Sequence, residues 1–208
     1  MSTGSPETRE EILAATKLLV ETTPFADISL ARVAAAAGVS RQAVYLHFGS
    51  RNGLLLALVA WMDNSGRLQQ LMAPSLQLSD PRKALLGAVA AAATYNADVA
   101  AVSLALKEAR RTDGTAATAW QDRMTVRLEG IRSVVRPVAE SGGLRTGWTV
   151  NQATDMISAL ISPTMYEDLV VDRKWPLRRY TEHIVRLVAT MLTSDTDPDT
   201  GPDRDGAP

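Results

Sequence analysis

Side chains able to do covalent chemistry are sparse in this chain of 208 residues, which has no cysteine and two histidines, His47 and His183. A thiolate nucleophile, a thiolate metal site and a disulfide are excluded, and no Gly-rich phosphate loop is present. Glu167 and Asp168 are adjacent acids in a helical stretch, where neighbours face different directions, so their spacing does not make a catalytic pair. Gly142-Gly143 reads as a helix stop. No catalytic residue, metal site or cofactor is expected. What remains is recognition chemistry. Arg41 and Gln42 open a short helical run, and such side chains can bond bidentately to guanine and to adenine in the major groove, while Ala43 beside them can touch a thymine methyl.

The elements that must position these groups lie between Ile28 and Gly53. Ser29 is a good N-cap for a helix of Leu30, Ala31, Arg32, Val33 and four alanines, and Gly38 stands where that helix must end in a left-handed residue. Val39 plugs the turn. Ser40 caps a second helix, Arg41 to Phe48, whose Val44 and Phe48 can pack on Leu30, Val33, Ala34 and Ala37. A short turn containing Gly is the connection of a helix-turn-helix, and the alanines let two steeply crossing helices approach closely. In such a motif the N-terminal residues of the second helix reach the base edges. Ser29 and Arg32 on the preceding helix are further candidates for phosphate contact.

The same stretch resembles the TetR family of transcriptional regulators. The resemblance rests on Ala37-Gly38-Val39-Ser40, on Val44-Tyr45-Leu46-His47-Phe48, and on Arg51 followed by Leu54. Arg51 replaces the family's usual Lys with its charge kept, and Gly53 stands where a helix former is commoner. The resemblance implies that Tyr45, His47 and Arg51 hold phosphates rather than bases, that Ser40 joins the DNA-facing set, and that a fourth helix links a DNA-reading head to a regulatory body. The plain alternatives are a solvated arginine at 41, a surface tyrosine at 45 and a histidine packed on the head at 47.

A net charge of -1 argues against a protein that coats nucleic acid through a global positive field. Locally the balance differs: from Ile28 to Met62 there is no Asp or Glu, while Arg32, Arg41 and Arg51 give +3. That asymmetry fits a small phosphate-contacting face. The 46% hydrophobic content is ample for a core. No secretory signal is apparent, and the longest apolar runs, near Leu54 to Met62, are too short to span a bilayer, so no membrane partner and a cytoplasmic location are expected.

Taken in order, Met1 to Ser5 reads as a disordered arm and Pro6 to Thr22 as an amphipathic helix, with Phe25 as a core anchor after it. A fourth helix is expected from Ser50 towards Met72, then a connector at Pro74 to Leu78. Further helices are expected at Arg82 to Tyr95, Val99 to Arg111 after a break at Asn96 to Asp98, Thr115 to Glu140 with Pro137 kinking or shortening it, and Val150 to Val171, bent or broken by Pro163. A last helix follows Pro176. Residues 195–208 belong to an acidic stretch, from Ser194, with five Asp against one Arg, expected to be disordered. The fold class is all-α, about nine helices. Residues 1–53 form the three-helix head, 54–194 a ligand-binding and dimerisation body, and 195–208 the tail.

Tyr95, Trp120, Met124, Met165 and Tyr166 are the candidates to line a pocket for a mostly apolar small molecule, against the plain alternative that each is core. The last two helices, strongly apolar, are expected to pair with a second copy. The resemblance implies a ligand-responsive regulator, a homodimeric repressor that binds a palindromic double-stranded DNA operator and is released by the ligand; the alternative is a helical small-molecule-binding or protein-interaction module with little specific DNA affinity.

Overall fold

Side-chain caps set where the helices begin. In the computed structural model, which describes residues 5–194, the hydroxyls of Ser5, Ser29, Ser40 and Ser50 accept the N–H groups of Thr8, Arg32, Ala43 and Gly53 at 3.0–3.2 Å. They open α1 (Pro6–Thr22), α2 (Leu30–Ala37), α3 (Arg41–Phe48) and α4 (Arg51–Asp63). Each satisfies an N–H that has no partner within its own helix. Gly38 ends α2 with φ of 67°, a left-handed conformation that costs other residues a steric penalty. The body continues with α5 (Arg67–Leu76), α6 (Pro81–Ala109), α7 (Gly114–Glu140), α8 (Val150–Leu160), α9 (Pro163–Tyr166, running into a π-helical turn Glu167–Asp172) and α10 (Leu177–Leu192). The fold is all-helical, and the only β-type pairing among the described residues is an isolated bridge between Leu144 and Thr193. Apart from Ser5, the expected N-terminal arm lies outside the described residues, as does the tail at 195–208.

Three boundaries differ from the sequence expectation, and a fourth settles an alternative it left open. The fourth helix stops at Asp63, because Asn64-Ser65-Gly66 turns the chain with Gly66 in the left-handed region, and α5 starts afresh. Pro74 lies inside the last turn of α5 rather than in a connector. Pro163 breaks the apolar helix in two, with Ser162 capping the second piece through the N–H of Met165 at 3.1 Å. The expected break at Asn96 is absent: α6 is one helix of 29 residues. Asn96 is 2% exposed. Its amide donates to the Ile161 carbonyl at 2.9 Å and to the Tyr180 hydroxyl at 3.3 Å. The polar residue marks a buried tie between helices, not a loop. Being continuous, α6 is also long and apolar enough to cross a membrane by length and composition, contrary to the shorter runs expected, but half of its apolar window is buried against other helices.

Two apolar clusters hold the chain. The first joins Ile12, Leu13, Phe25, Val33, Val44 and Phe48 of the head to Leu54, Leu55, Leu58, Val59 and Met62 of α4, and continues into Val99, Val102 and Leu106 of α6 and Ala116 of α7. The second joins Leu85 and Val89 of α6, Ile131 and Val135 of α7, Ile157 of α8, and Tyr180, Ile184 and Val188 of α10. Head and body thus share a core along α4. Close approach also explains Gly53, the departure from the family pattern. A Cβ there would lie 2.1 Å from the Phe48 carbonyl oxygen, so only glycine lets α4 start so near the end of α3.

Gly53→Ala is expected to destabilise the head by about 1–3 kcal/mol through overpacking. Gly130→Ala, on the exposed side of α7 with nothing within 4 Å of the added Cβ, is expected to stabilise by about 0.5–1 kcal/mol; thermal melting of both checks the contrast. Asn96→Ala, which leaves the Tyr180 hydroxyl buried without its donor, is expected to cost about 1–3 kcal/mol in chemical denaturation.

Candidate nucleic-acid interface and ligand cavity

On α3 the hydrophobic periodicity sends Ala43, Val44 and Phe48 inward and leaves Arg41, Gln42, Tyr45 and Leu46 outward, with Tyr45 61% exposed. Arg41 and Gln42 stand in the first turn, beside the Ser40 cap. Ala43 is 1% exposed, which overturns the expected contact with a thymine methyl. Its methyl is spent on the head core, because it sits one turn before the inward-facing His47–Phe48 pair. The hydroxyls of Ser29 and Ser40 are engaged as caps.

The flanking cations are held in place by the head itself. Arg32 donates to the Thr23 hydroxyl at 3.0 Å. Arg51 donates to the Ala26 carbonyl, its guanidinium 5.7 Å from the Phe25 ring centre, so it ties the start of α4 to the connection before α2. His47 is half-buried, its ring tilted against Phe48 with centres 5.8 Å apart, and its Nε2 is buried without a hydrogen-bond partner. Arg9 of α1, not among the sequence candidates, lies 5.6 Å from the Phe48 ring centre and adds a cation near the end of α3. Proximity in sequence could not have found it.

Between the two apolar clusters lies a cavity of about 610 Å³, within the size range of small-molecule sites. Tyr95, Trp120 and Met124 line it, as do Met72, Val99, Ile131 and Ile161. Met165 and Tyr166 do not. Both pack with the second cluster, the Tyr166 ring edge-on to Tyr180 at 5.6 Å, while α9 meets the large cavity only through Pro163 at its start. Burial, and next the charge of Asp63, push the Tyr95 phenol above its ordinary pKa, so it stays neutral.

Sequence reading missed the polar groups of this cavity. Asp63, the last residue of α4, pairs with Arg123 of α7, and both side chains line the space. At the other end of α4, the Asn52 amide donates to the Asp113 carboxylate, the N-cap of α7, at 2.7 Å. The cap's acceptance of the Ala116 N–H, and next the Asn52 bond, lower the Asp113 pKa. Arg127 of α7 donates through Nε to the Ser158 hydroxyl at 3.3 Å and through Nη2 to the carbonyls of Ser158 and Ile161 at 3.0 and 2.8 Å. Burial pulls its pKa down to about 10, which still leaves it charged near neutrality. No single-sequence signal separates a buried arginine from the solvated majority; only the α7–α8 packing does.

Comparison with known proteins bears on the head and on the overall fold. Residues 12–58 match the family model described as bacterial regulatory proteins, tetR family. NalD of Pseudomonas aeruginosa, the secondary repressor of the MexAB-OprM multidrug efflux pump, shares the fold with a TM-score of 0.63 at 24% identity, over 91% of this chain and 98% of that one. FadR of Bacillus subtilis, in complex with stearoyl-CoA, has a TM-score of 0.69 at 17% identity, over 86% and 96%. A protein of Saccharomonospora viridis, assigned as a transcriptional regulator and in complex with choline, has a TM-score of 0.79 at 17% identity, over 91% and 100%. A comparison with curated proteins finds no match. Residues 12–58 therefore belong to the tetR family of bacterial regulatory proteins, and the chain as a whole has the fold that TetR-family regulators share.

Proposed function

We propose that this protein is a ligand-responsive transcriptional regulator, a homodimeric repressor that binds a palindromic DNA operator and is released from it when a small, mostly apolar molecule enters the body. The observation that carries the reading is the path of α4. The helix begins at Arg51 beside the DNA-facing surface and ends at Asp63 on the cavity, with α7 tied to it at both ends. A ligand that fits the cavity in one setting of α4 better than in another shifts the population of head positions by that difference in affinity.

In this reading Arg41 and Gln42 read bases, and Tyr45, Arg32 and Ser29 face phosphates. Arg51 acts partly through its own fold, since its guanidinium already holds the Ala26 carbonyl. His47 keeps its Nε2 buried without a partner, so a phosphate contact there needs a rotation of the ring. The second copy packs on α8 and α10, where Leu187, 42% exposed, shares a helix face with His183 and Thr190. A mixed apolar and polar face of that kind suits a twofold interface. The relatives' ligands, choline and stearoyl-CoA, share no chemistry, so ligand identity is argued below from this chain's own cavity.

Selection of binding sites from random duplex DNA is the first test: recovery of a palindrome supports the reading, and no preference over random duplex overturns it in favour of a binding module without DNA specificity. At a recovered site, Arg41→Ala is expected to cost about 1–3 kcal/mol and relax sequence preference, measured by fluorescence anisotropy. Asp63→Asn, remote from DNA, is expected to change operator affinity several-fold and to weaken its response to ligand, because it frees α4 from Arg123. Sedimentation of a monomer at micromolar concentration would count against the paired copy.

A further inference from the structure

Beside the large cavity lies a smaller space of about 100 Å³, and the two share Ser103, Trp120, Met124, Arg127 and Pro163 as lining. Its character is different. Lys107 of α6 and Arg127 of α7 both line it, together with the hydroxyl-bearing Ser158, Ser162 and Thr164, and no Asp or Glu does. Asp63 and Asp122 line only the large cavity, and Asp63 is already paired with Arg123.

Neither cation of the small space has a carboxylate within ion-pair distance among the described residues. Arg127 spends Nε and Nη2 on Ser158 and Ile161. Its Nη1, with two N–H donors, makes no bond to the protein. Lys107 gives one of its three donors to the Thr164 hydroxyl at 2.9 Å. The Arg127 guanidinium is partly buried without a counter-charge, and that burial is what lowers its pKa, while Nη1 keeps its donors free for an incoming group. An anion bound beside Nη1 and the Lys107 ammonium would supply that counter-charge with charge-assisted hydrogen bonds.

Resting on the reading of the body as a ligand site, we propose that the ligand is an amphiphilic carboxylate: its carboxylate occupies the small space between Lys107 and Arg127, and its apolar part extends past Trp120 and Met124 into the large cavity. The arrangement explains why two cations without acidic partners adjoin a mostly apolar space. It also places the charged end of the ligand on the junction of α6, α7 and α9, while the apolar end reaches the wall that contains Asp63 of α4. A ligand so oriented touches the linking helix with its body, not its head.

The test uses the purified full-length chain and two probe pairs, decanoate with decanol and 4-phenylbutyrate with 4-phenylbutanol, titrated by calorimetry and by the change in tryptophan fluorescence. At least one carboxylate is expected to bind about tenfold or more tightly than its alcohol, as a charge-assisted contact implies. In Arg127→Met and in Lys107→Met that preference is expected to fall by about tenfold while the alcohol's affinity stays within about twofold. Arg127 also holds the end of α8, so the ratio of the two affinities is read rather than either alone: a merely structural loss lowers both and leaves the ratio unchanged. Lys107→Met, which removes a single contact to Thr164, keeps the test decisive if Arg127→Met does not fold. Equal binding of acid and alcohol, an unchanged ratio in the folded variants, or no binding of either carboxylate at millimolar concentration overturns the proposal. The regulator reading fails separately. A carboxylate that binds with the expected preference but leaves operator affinity unchanged sustains this inference and removes the ligand switch, whereas operator release by the alcohols as strongly as by the acids does the reverse.

Discussion

Burial of α4 on both sides is the constraint on which the rest of the structure depends. Leu54, Leu55 and Leu58 are 0% exposed and Val59 and Met62 nearly so, and each such side chain contributes about 1.5–3 kcal/mol, an upper range because unfolded chains already bury some apolar surface. One face of the helix closes the core of the head; the other closes against α6 and the start of α7. A helix so placed cannot move with only one of the two. In the proposed switch, a shift of the body along α4 would reach α3, the element that carries Arg41 and Gln42. Gly53 belongs to the same constraint, since its missing side chain is what lets α4 set off so close to the Phe48 carbonyl.

The polar contacts of α4 differ in kind from its apolar ones. Burial holds the helix to both cores without direction, whereas Asn52 to Asp113 and Asp63 to Arg123 are directional and tie it to α7 at two points. The second of these is also a wall of the cavity. Directional bonds at the edge of a space between two packed clusters are where a ligand of modest size can change a setting without unmaking a core. The cavity exists because the two clusters, one built on the head and one on α8 and α10, meet along α6 without filling the seam between them. Charge inside that seam is unevenly distributed, with acids near α4 and unpaired cations near α9.

How much was legible beforehand follows from the range of the interactions. The caps at Ser29 and Ser40, the left-handed Gly38 and the inward face of Val44 and Phe48 are local, and each was readable from residues within about one turn. The acid-free run from Ile28 to Met62 was equally plain. Ala43 failed because one residue of rotation on a helix of 3.6 residues per turn separates base contact from core, and only packing fixes that rotation. Asn96 failed for the opposite reason: polarity in mid-pattern resembles a loop until Ile161 and Tyr180 arrive, from far along the chain, to accept its hydrogen bonds.

By itself the sequence determined an all-helical chain, a helix-turn-helix at Ile28 to Gly53 and the outward position of Arg41, Gln42 and Tyr45, because helix capping, turn conformation and amphipathic period are written in near neighbours. Tertiary structure alone decided that Tyr95, Trp120 and Met124 face a cavity while Met165 and Tyr166 do not, that Arg51 braces the head, and that Lys107 and Arg127 meet without an acid between them. Those relations join residues on different helices. They depend on how α6, α7 and α9 cross, and the crossing is set by the packing of whole faces rather than by any single residue's preference.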